Sequence, residues 1–203
     1  MDKSATGSVN FFWTMTPAEF RAAVDSYRFA ASTPPHPDRS ILIGHGHGLR
    51  AAWEPAVFYS LALELDATAF AFEWSDDELR PLVDGILDSG RLDVDELWRL
   101  PEGAEAFCGD GRFTAGHVAL LERLVSEHHL AQVILFDRVD WAEPERSGKM
   151  AKRLAADWNR DHRLVAVVGA AHVAEFHSHL PELTVLELDY EDAVTGTAVV
   201  PER

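Results

Sequence analysis

Four apolar runs, separated by segments with helical spacing, constrain the fold of this chain more than any other feature. The runs begin at Ile41, Ala69, Gln132 and Leu164, and each is nearly continuous instead of alternating between apolar and polar residues. Strands of this kind are buried on both faces, as in parallel sheets whose connecting helices cover both sides. The sequence therefore predicts an α/β fold with a mostly parallel sheet flanked by helices on both faces.

Turn residues, capping residues and hydrophobic spacing divide the rest of the chain into further elements. The predicted strands are Ile41–Gly44, Ala69–Trp74, Gln132–Phe136, Leu164–Val168 and Thr184–Leu188. The predicted helices are 16–30, 51–65, Asp76–Ser89, Asp93–Leu100, Thr114–His129, Arg146–Asn159 and a short one after His172. A length of 203 residues suits one domain over residues 1–203, with residues 1–8 frayed.

Charge and composition exclude several classes of protein. The chain has 34 Asp and Glu against 18 Lys and Arg, a net charge of −16, which opposes binding to nucleic acid and to anionic membranes. It shows no signal-peptide pattern and no apolar run near the ~20 residues that span a bilayer, so a cytoplasmic location is expected. The single cysteine, Cys108, cannot form an internal disulfide and is expected in a loop.

Each of the four strong strands is followed by an ionisable side chain. His45 and His47 follow the first strand, Glu73 ends the second, Asp137 ends the third, and His172 follows the fourth. In open parallel α/β sheets, ligands bind beyond the carboxyl ends of the strands. The sequence therefore predicts a polar site at the carboxyl edge of the sheet.

The residues at this edge have structural as well as functional interpretations. In extended backbone, His45 and His47 point to the same side, and the glycines around them allow close approach. Glu73 lies between aromatic residues, and a buried carboxylate there suits proton transfer, whereas a solvated one would have no role. Asp137 could instead cap a loop or pair with Arg138, and His172 could begin a helix or form a site wall. The other histidines are expected on the surface or in packing: His36, His117, His128, His129, His162, His177 and His179.

Four motifs between Ile41 and Val173 follow a known family pattern. They are Gly44-His45-Gly46-His47-Gly48, Phe70-Ala71-Phe72-Glu73, Arg146 with Met150-Ala151, and Gly169-Ala170-Ala171-His172. In order and spacing the chain resembles the superfamily of erythromycin esterase-like hydrolases, ChaN-like haem-uptake lipoproteins and Tiki/TraB proteases. It departs from the pattern at His45, where the family usually has a glutamate.

The resemblance to the esterases implies a hydrolase that cleaves an ester, lactone or amide, in natural-product tailoring or resistance. His47 would then remove a proton from water, a task that suits an imidazole, with Glu73 orienting it and His172 completing the catalytic group beside His45. Arg50 and Arg146 would bind a substrate carboxylate or the oxyanion, with Asp137 and Trp74 as further substrate contacts. The chain has no Gly-x-Ser-x-Gly elbow, which argues against a serine triad.

Other functions remain open from the sequence. His45, His47 and Glu73 could bind a divalent transition metal with a free position for water, as the resemblance to the protease branch implies, and the substrate would then be a peptide or a small molecule. His45 and His47 could instead hold haem or another planar ligand against Phe72 and Trp74. A catalytically silent relative that binds a partner is a further alternative.

Overall fold

The computed structural model describes residues 16–29, 35–36, 38–46, 54–100 and 114–188, which form a five-stranded parallel sheet with helices on both faces. The strand order is β3-β2-β4-β1-β5, and every pair of neighbours is parallel. The predicted α/β fold class is therefore confirmed. The strands are β1 Ile41–His45, β2 Ala69–Ser75, β3 Gln132–Asp137, β4 Leu164–Gly169 and β5 Thr184–Glu187.

Seven α-helices connect or flank these strands in the described part of the chain, and none of them combines the length and apolar character needed to cross a bilayer. The predicted helix over Asp76–Ser89 is confirmed to the residue, whereas the one predicted over Asp93–Leu100 is a single turn. A 3-10 turn, Ala170–His172, follows β4. The helices are α1 Pro17–Ser26, α2 Glu54–Leu65, α3 Asp76–Ser89, α4 Val94–Leu97, α5 Ala115–His128, α6 Arg146–Asp157 and α7 Val173–His179.

Each face of the sheet packs against its own hydrophobic core. Ile43, Phe72 and Val167 face a core to which α1 to α5 contribute. Leu42, Ala71 and other strand residues face the second core, built with α6 and α7. Because strand side chains alternate between faces, both cores bury every strand, which explains why the apolar runs are continuous. Residues 1–8 and Cys108 lie outside the described residues.

The sheet opens at its carboxyl edge between β2 and β4. The last backbone pair between these two strands is Phe72 with Val167, and β2 also changes register against β3 between Phe72 and Ser75. On the other side of β4, pairing with β1 continues to His45 and Gly169. Beyond Phe72, side chains can therefore form the hydrogen bonds that the backbone of β2 no longer makes with β4.

A glycine allows close contact between β1 and α7 near this edge. A Cβ atom on Gly44 would lie 2.6 Å from Val173 Cγ2, so replacement of Gly44 by alanine requires the strand or the helix to shift. We expect Gly44→Ala to lower the free energy of unfolding by about 1–3 kcal/mol, the usual cost of overpacking. Urea denaturation followed by circular dichroism measures this change.

Gly85 provides the matched control for this substitution. It lies inside α3, is exposed, and a Cβ atom there would meet nothing within 4 Å. Gly85→Ala should raise the free energy of unfolding by about 0.5–1 kcal/mol, because alanine favours the helix interior. Equal stability of Gly44→Ala and the wild type would contradict the packing of β1 on α7.

Candidate functional site at the carboxyl edge of the sheet

Glu73 occupies the opening between β2 and β4. Its side chain is only 2% exposed, and its Oε2 accepts a hydrogen bond of 2.7 Å from the backbone N–H of Gly169. Its Oε1 accepts a second hydrogen bond, of 2.9 Å, from Arg146 Nη2. Beyond Phe72 and Val167, the Glu73 carboxylate therefore replaces the backbone of β2 as the hydrogen-bond partner of β4.

Arg146, the first residue of α6, joins Glu73 to the end of β3. Its Nε donates to Asp137 Oδ1 at 3.1 Å and its Nη2 to Asp137 Oδ2 at 2.5 Å, a bidentate ion pair. Hydrogen bonding to Asp137 raises the pKa of Arg146, so the guanidinium stays charged. Two carboxylates share one guanidinium, which leaves this group with one net negative charge.

Asp137 pairs with Arg146 and not with Arg138. Arg138, its neighbour in sequence, pairs with Asp77 at 3.1 Å and with Asp140 at 3.2 Å. Asp137 instead orients Arg146. Because Asp137 and Glu73 engage two of the three guanidinium nitrogens, Arg146 is better placed to hold these carboxylates than to bind an anionic substrate.

His172 approaches Glu73 from the turn after β4. Its Nε2 is 3.6 Å from Glu73 Oε1, and its Nδ1 shares a hydrogen bond of 2.7 Å with Ser147 Oγ. The side chain is 13% exposed, so the imidazole is partly accessible to solvent. Glu73, Asp137, Arg146, Ser147 and His172 together form what we call the Glu73 cluster.

His45 lies on the other side of the same edge. Alternation along β1 places it with Ile43, on the face covered by α2 and α5. Its Nδ1 is 3.0 Å from Glu54 Oε2, and both side chains are buried. His117, at the start of α5, is close enough for its charge to interact with that of His45. We call His45, Glu54 and His117 the His45 cluster.

Trp74 belongs to the same side as the His45 cluster. Its ring stacks on Phe72 with centroids 4.1 Å apart and planes at 7°, and it meets the His117 ring edge-on at 5.7 Å. The rings of Phe72 and Trp74 contact each other face to face, and the two residues are 1% and 4% exposed. Because His47 lies outside the described residues, a planar ligand held by His45 and His47 against these rings stays a prediction. The structure thus brings Glu73, Asp137, Arg146 and His172 together, and separates them from His45 and Trp74.

Of the three proposed metal ligands, the structure describes His45 and Glu73. Within residues 16–29, 35–36, 38–46, 54–100 and 114–188, no three His, Cys, Asp or Glu side chains lie close enough to hold a metal ion. His45 faces Glu54, and both oxygens of Glu73 already accept hydrogen bonds. His47 and Arg50 lie outside the described residues, so their roles as base, ligand and substrate contact stay predictions.

Besides His117, which was expected on the surface or in packing, two residues of these clusters were not predicted from the sequence. Ser147 follows Arg146 in the first turn of α6, and its position next to a predicted site residue was the available signal. Glu54 gave a weaker signal, because a glutamate before proline is typical of an exposed helix start, yet its side chain is fully buried. Both were missed because their contacts depend on how separate elements pack, α6 on the turn after β4 and α2 on the end of β1.

His117 gives the His45 cluster a measurable pH dependence. Burial, and then the charge of His45, lower the pKa of His117 from 6.5 to about 3. In its neutral form, its Nδ1 accepts a hydrogen bond of 3.3 Å from the backbone N–H of Thr114, which completes a capping box.

We expect His117→Gln to flatten the dependence of stability on pH. Between pH 6.5 and about 3 the unfolded wild-type chain binds a proton that folded His117 does not, so His117 reduces stability as the pH falls. The loss in the free energy of unfolding that His117 causes approaches about 1.4 kcal/mol for each unit by which the pH falls. Glutamine keeps the cap without titrating. Urea denaturation from pH 7 to pH 4 measures the slope.

The control for this variant is His177→Gln, at an exposed position of α7. It should keep the wild-type slope. An unchanged slope in His117→Gln would show that His117 is not a buried neutral imidazole.

Comparison with known proteins finds similarity in structure alone. No protein-family model matches the chain, and no curated protein sequence matches it. Two solved structures described as bacterial protein toxins match with TM-scores of 0.55, at 16% and 15% identity over 94% and 93% of this chain. RRSP, a MARTX toxin effector domain from Vibrio vulnificus CMCP6, matches with a TM-score of 0.50 at 17% identity over 93%. The chain spans 38–39% of the length of these proteins, and the likeness shows a shared fold.

Proposed function

We propose that this protein is a hydrolase that cleaves an ester, lactone or amide bond, with His172 and Glu73 as the imidazole and carboxylate that activate the attacking group. The observation that carries the proposal is the Glu73 carboxylate, fixed by the N–H of Gly169 and by Arg146, at 3.6 Å from His172 Nε2. A carboxylate and an imidazole in this relation form a common acid and base unit of hydrolytic enzymes.

The surroundings of Glu73 suit a supporting role. Two hydrogen-bond donors, Arg146 and the backbone N–H of Gly169, fix the orientation of its carboxylate. When His172 accepts a proton, its new positive charge faces a carboxylate in a cluster with one net negative charge, which stabilises it. General base catalysis of this kind contributes about 10²–10⁴-fold to a rate.

The superfamily resemblance supports the same function, because Glu73 and His172 come from two of its four motifs and lie side by side. Membership of that superfamily is part of the proposal. The resemblance assigns the general base to His47, and we keep His47 as a second imidazole to be tested. No step through a metal is included, because His45 and Glu73 face different partners.

The substrate class stays broad in this proposal. The Glu73 cluster is net negative, so it favours a neutral or cationic group over an anionic one. The proteins of similar fold are described as bacterial protein toxins and a toxin effector domain. On this ground we include peptides in the range of substrates to be tested, beside small esters and lactones.

The test is hydrolysis of p-nitrophenyl esters, simple lactones and fluorogenic peptides by the purified chain and its variants. Glu73→Gln and His172→Ala should each lower kcat/KM by at least about 10²-fold, because each removes one member of the pair. His177→Ala, an exposed histidine on α7, is the matched control and should retain wild-type activity. Thermal melting of each variant separates loss of activity from loss of fold.

Two results would count against this assignment. Wild-type turnover in a folded His172→Ala variant, together with inactivity of His47→Ala, would move the general base to His47. A folded Glu73→Gln variant with full activity would show that Glu73 only joins β2 to β4 and α6.

A further inference from the structure

Ser147 places a hydroxyl group beside the imidazole of the Glu73 cluster. Its Oγ is 2.7 Å from His172 Nδ1, and His172 Nε2 is 3.6 Å from Glu73 Oε1. The hydroxyl group of Ser147, the imidazole of His172 and the carboxylate of Glu73 are therefore consecutive neighbours. This order is that of a nucleophile, its general base and the carboxylate that orients the base.

We infer that Ser147 is the nucleophile of this site and forms an ester with the acyl group of the substrate. The inference rests on the proposed hydrolase function and deepens it. Ser147 comes from the first turn of α6 and not from a Gly-x-Ser-x-Gly elbow. The missing elbow argues against a serine triad, but triads are defined by geometry and not by sequence order, and the contact of Ser147 with His172 is a geometric observation.

The surroundings of Ser147 provide access for a substrate. An open cavity of about 530 Å³ is lined by Ser147, by Gly148 and by Ala171, the neighbour of His172. Its other lining residues include Lys149 and Lys152. Ser147 therefore borders a space that a substrate can occupy.

The same helix start offers hydrogen-bond donors for the developing oxyanion. Glu145, the N-cap of α6, makes no capping hydrogen bond with its side chain. Within the described chain, the backbone N–H groups of Ser147 and Gly148 donate to no acceptor. Free N–H groups of a first helical turn carry partial positive charge and can bind an oxyanion next to the nucleophile.

The chemistry balances with these groups alone. Ser147 Oγ attacks the carbonyl carbon and its proton passes to His172 Nδ1, giving a tetrahedral intermediate. The bond to the leaving group breaks, the leaving group takes the proton from His172, and Ser147 carries the acyl group. Water then attacks this ester while His172 accepts its proton, and return of that proton to Ser147 Oγ releases the acid.

The experiment uses two probes on the full chain. The chain is mixed with p-nitrophenyl acetate and quenched in acid, and a second sample is treated with an alkyl fluorophosphonate. Intact mass and peptide mapping should find one acetyl or one phosphonyl group on Ser147. Ser147→Ala should lose both labels and at least about 10²-fold of the turnover, and His172→Gln should slow labelling of Ser147. Ser126→Ala, an exposed serine on α5, is the control and should behave as wild type.

The outcomes separate this inference from the function on which it rests. Turnover without any label, retained in Ser147→Ala but lost in His172→Ala, would overturn the nucleophile and leave direct water activation. Fluorophosphonate on Ser147 without turnover of any ester, lactone or peptide would support the nucleophile and remove the hydrolase function. Absence of both labelling and turnover would overturn both.

Discussion

The ion pair between Glu73 and Arg146 is the interaction on which the arrangement of this edge depends. A buried carboxylate loses its hydration, so it needs partners that replace water. Glu73 finds them in a backbone N–H of β4 and in a guanidinium that also binds Asp137 at the end of β3. Glu73 and Arg146 thus connect β2, β3, β4 and α6, and His172, in the turn after β4, lies beside them.

The two sides of the carboxyl edge differ in what they offer to a ligand. The His45 cluster is enclosed by the larger core, where His45, Glu54 and His117 are all buried. The Glu73 cluster includes the partly exposed His172 and, through Ser147, borders a cavity. His45 has a buried carboxylate, Glu54, as its partner. These differences favour chemistry at the Glu73 cluster and a structural role for the His45 cluster.

The sequence predicts the fold well because both cores leave a clear signal. Strands buried on both faces are continuous apolar runs, and the predicted strands agree with the observed ones to within a residue at each end. The sequence also places Glu73, Asp137, Arg146 and His172 at one edge. The sequence does not show which face of the sheet each residue occupies. In the structure, His45 shares a face with Ile43, and Glu73 shares the opposite face with Ala71. Ser147 could not be predicted either, since its contact with His172 depends on how α6 packs.

The tautomer of His172 tests the central claim most directly. If Ser147 donates to Nδ1 and Nε2 faces Glu73, the neutral imidazole carries its proton on Nε2. Nitrogen-15 NMR of the histidine side chains, at a pH where imidazoles are neutral, distinguishes the two ring nitrogens, and Ser147→Ala assigns the signal. The account predicts a protonated Nε2 and an unprotonated Nδ1. A proton on Nδ1 would contradict it, because Nδ1 of the neutral His172 could then not accept a proton from Ser147.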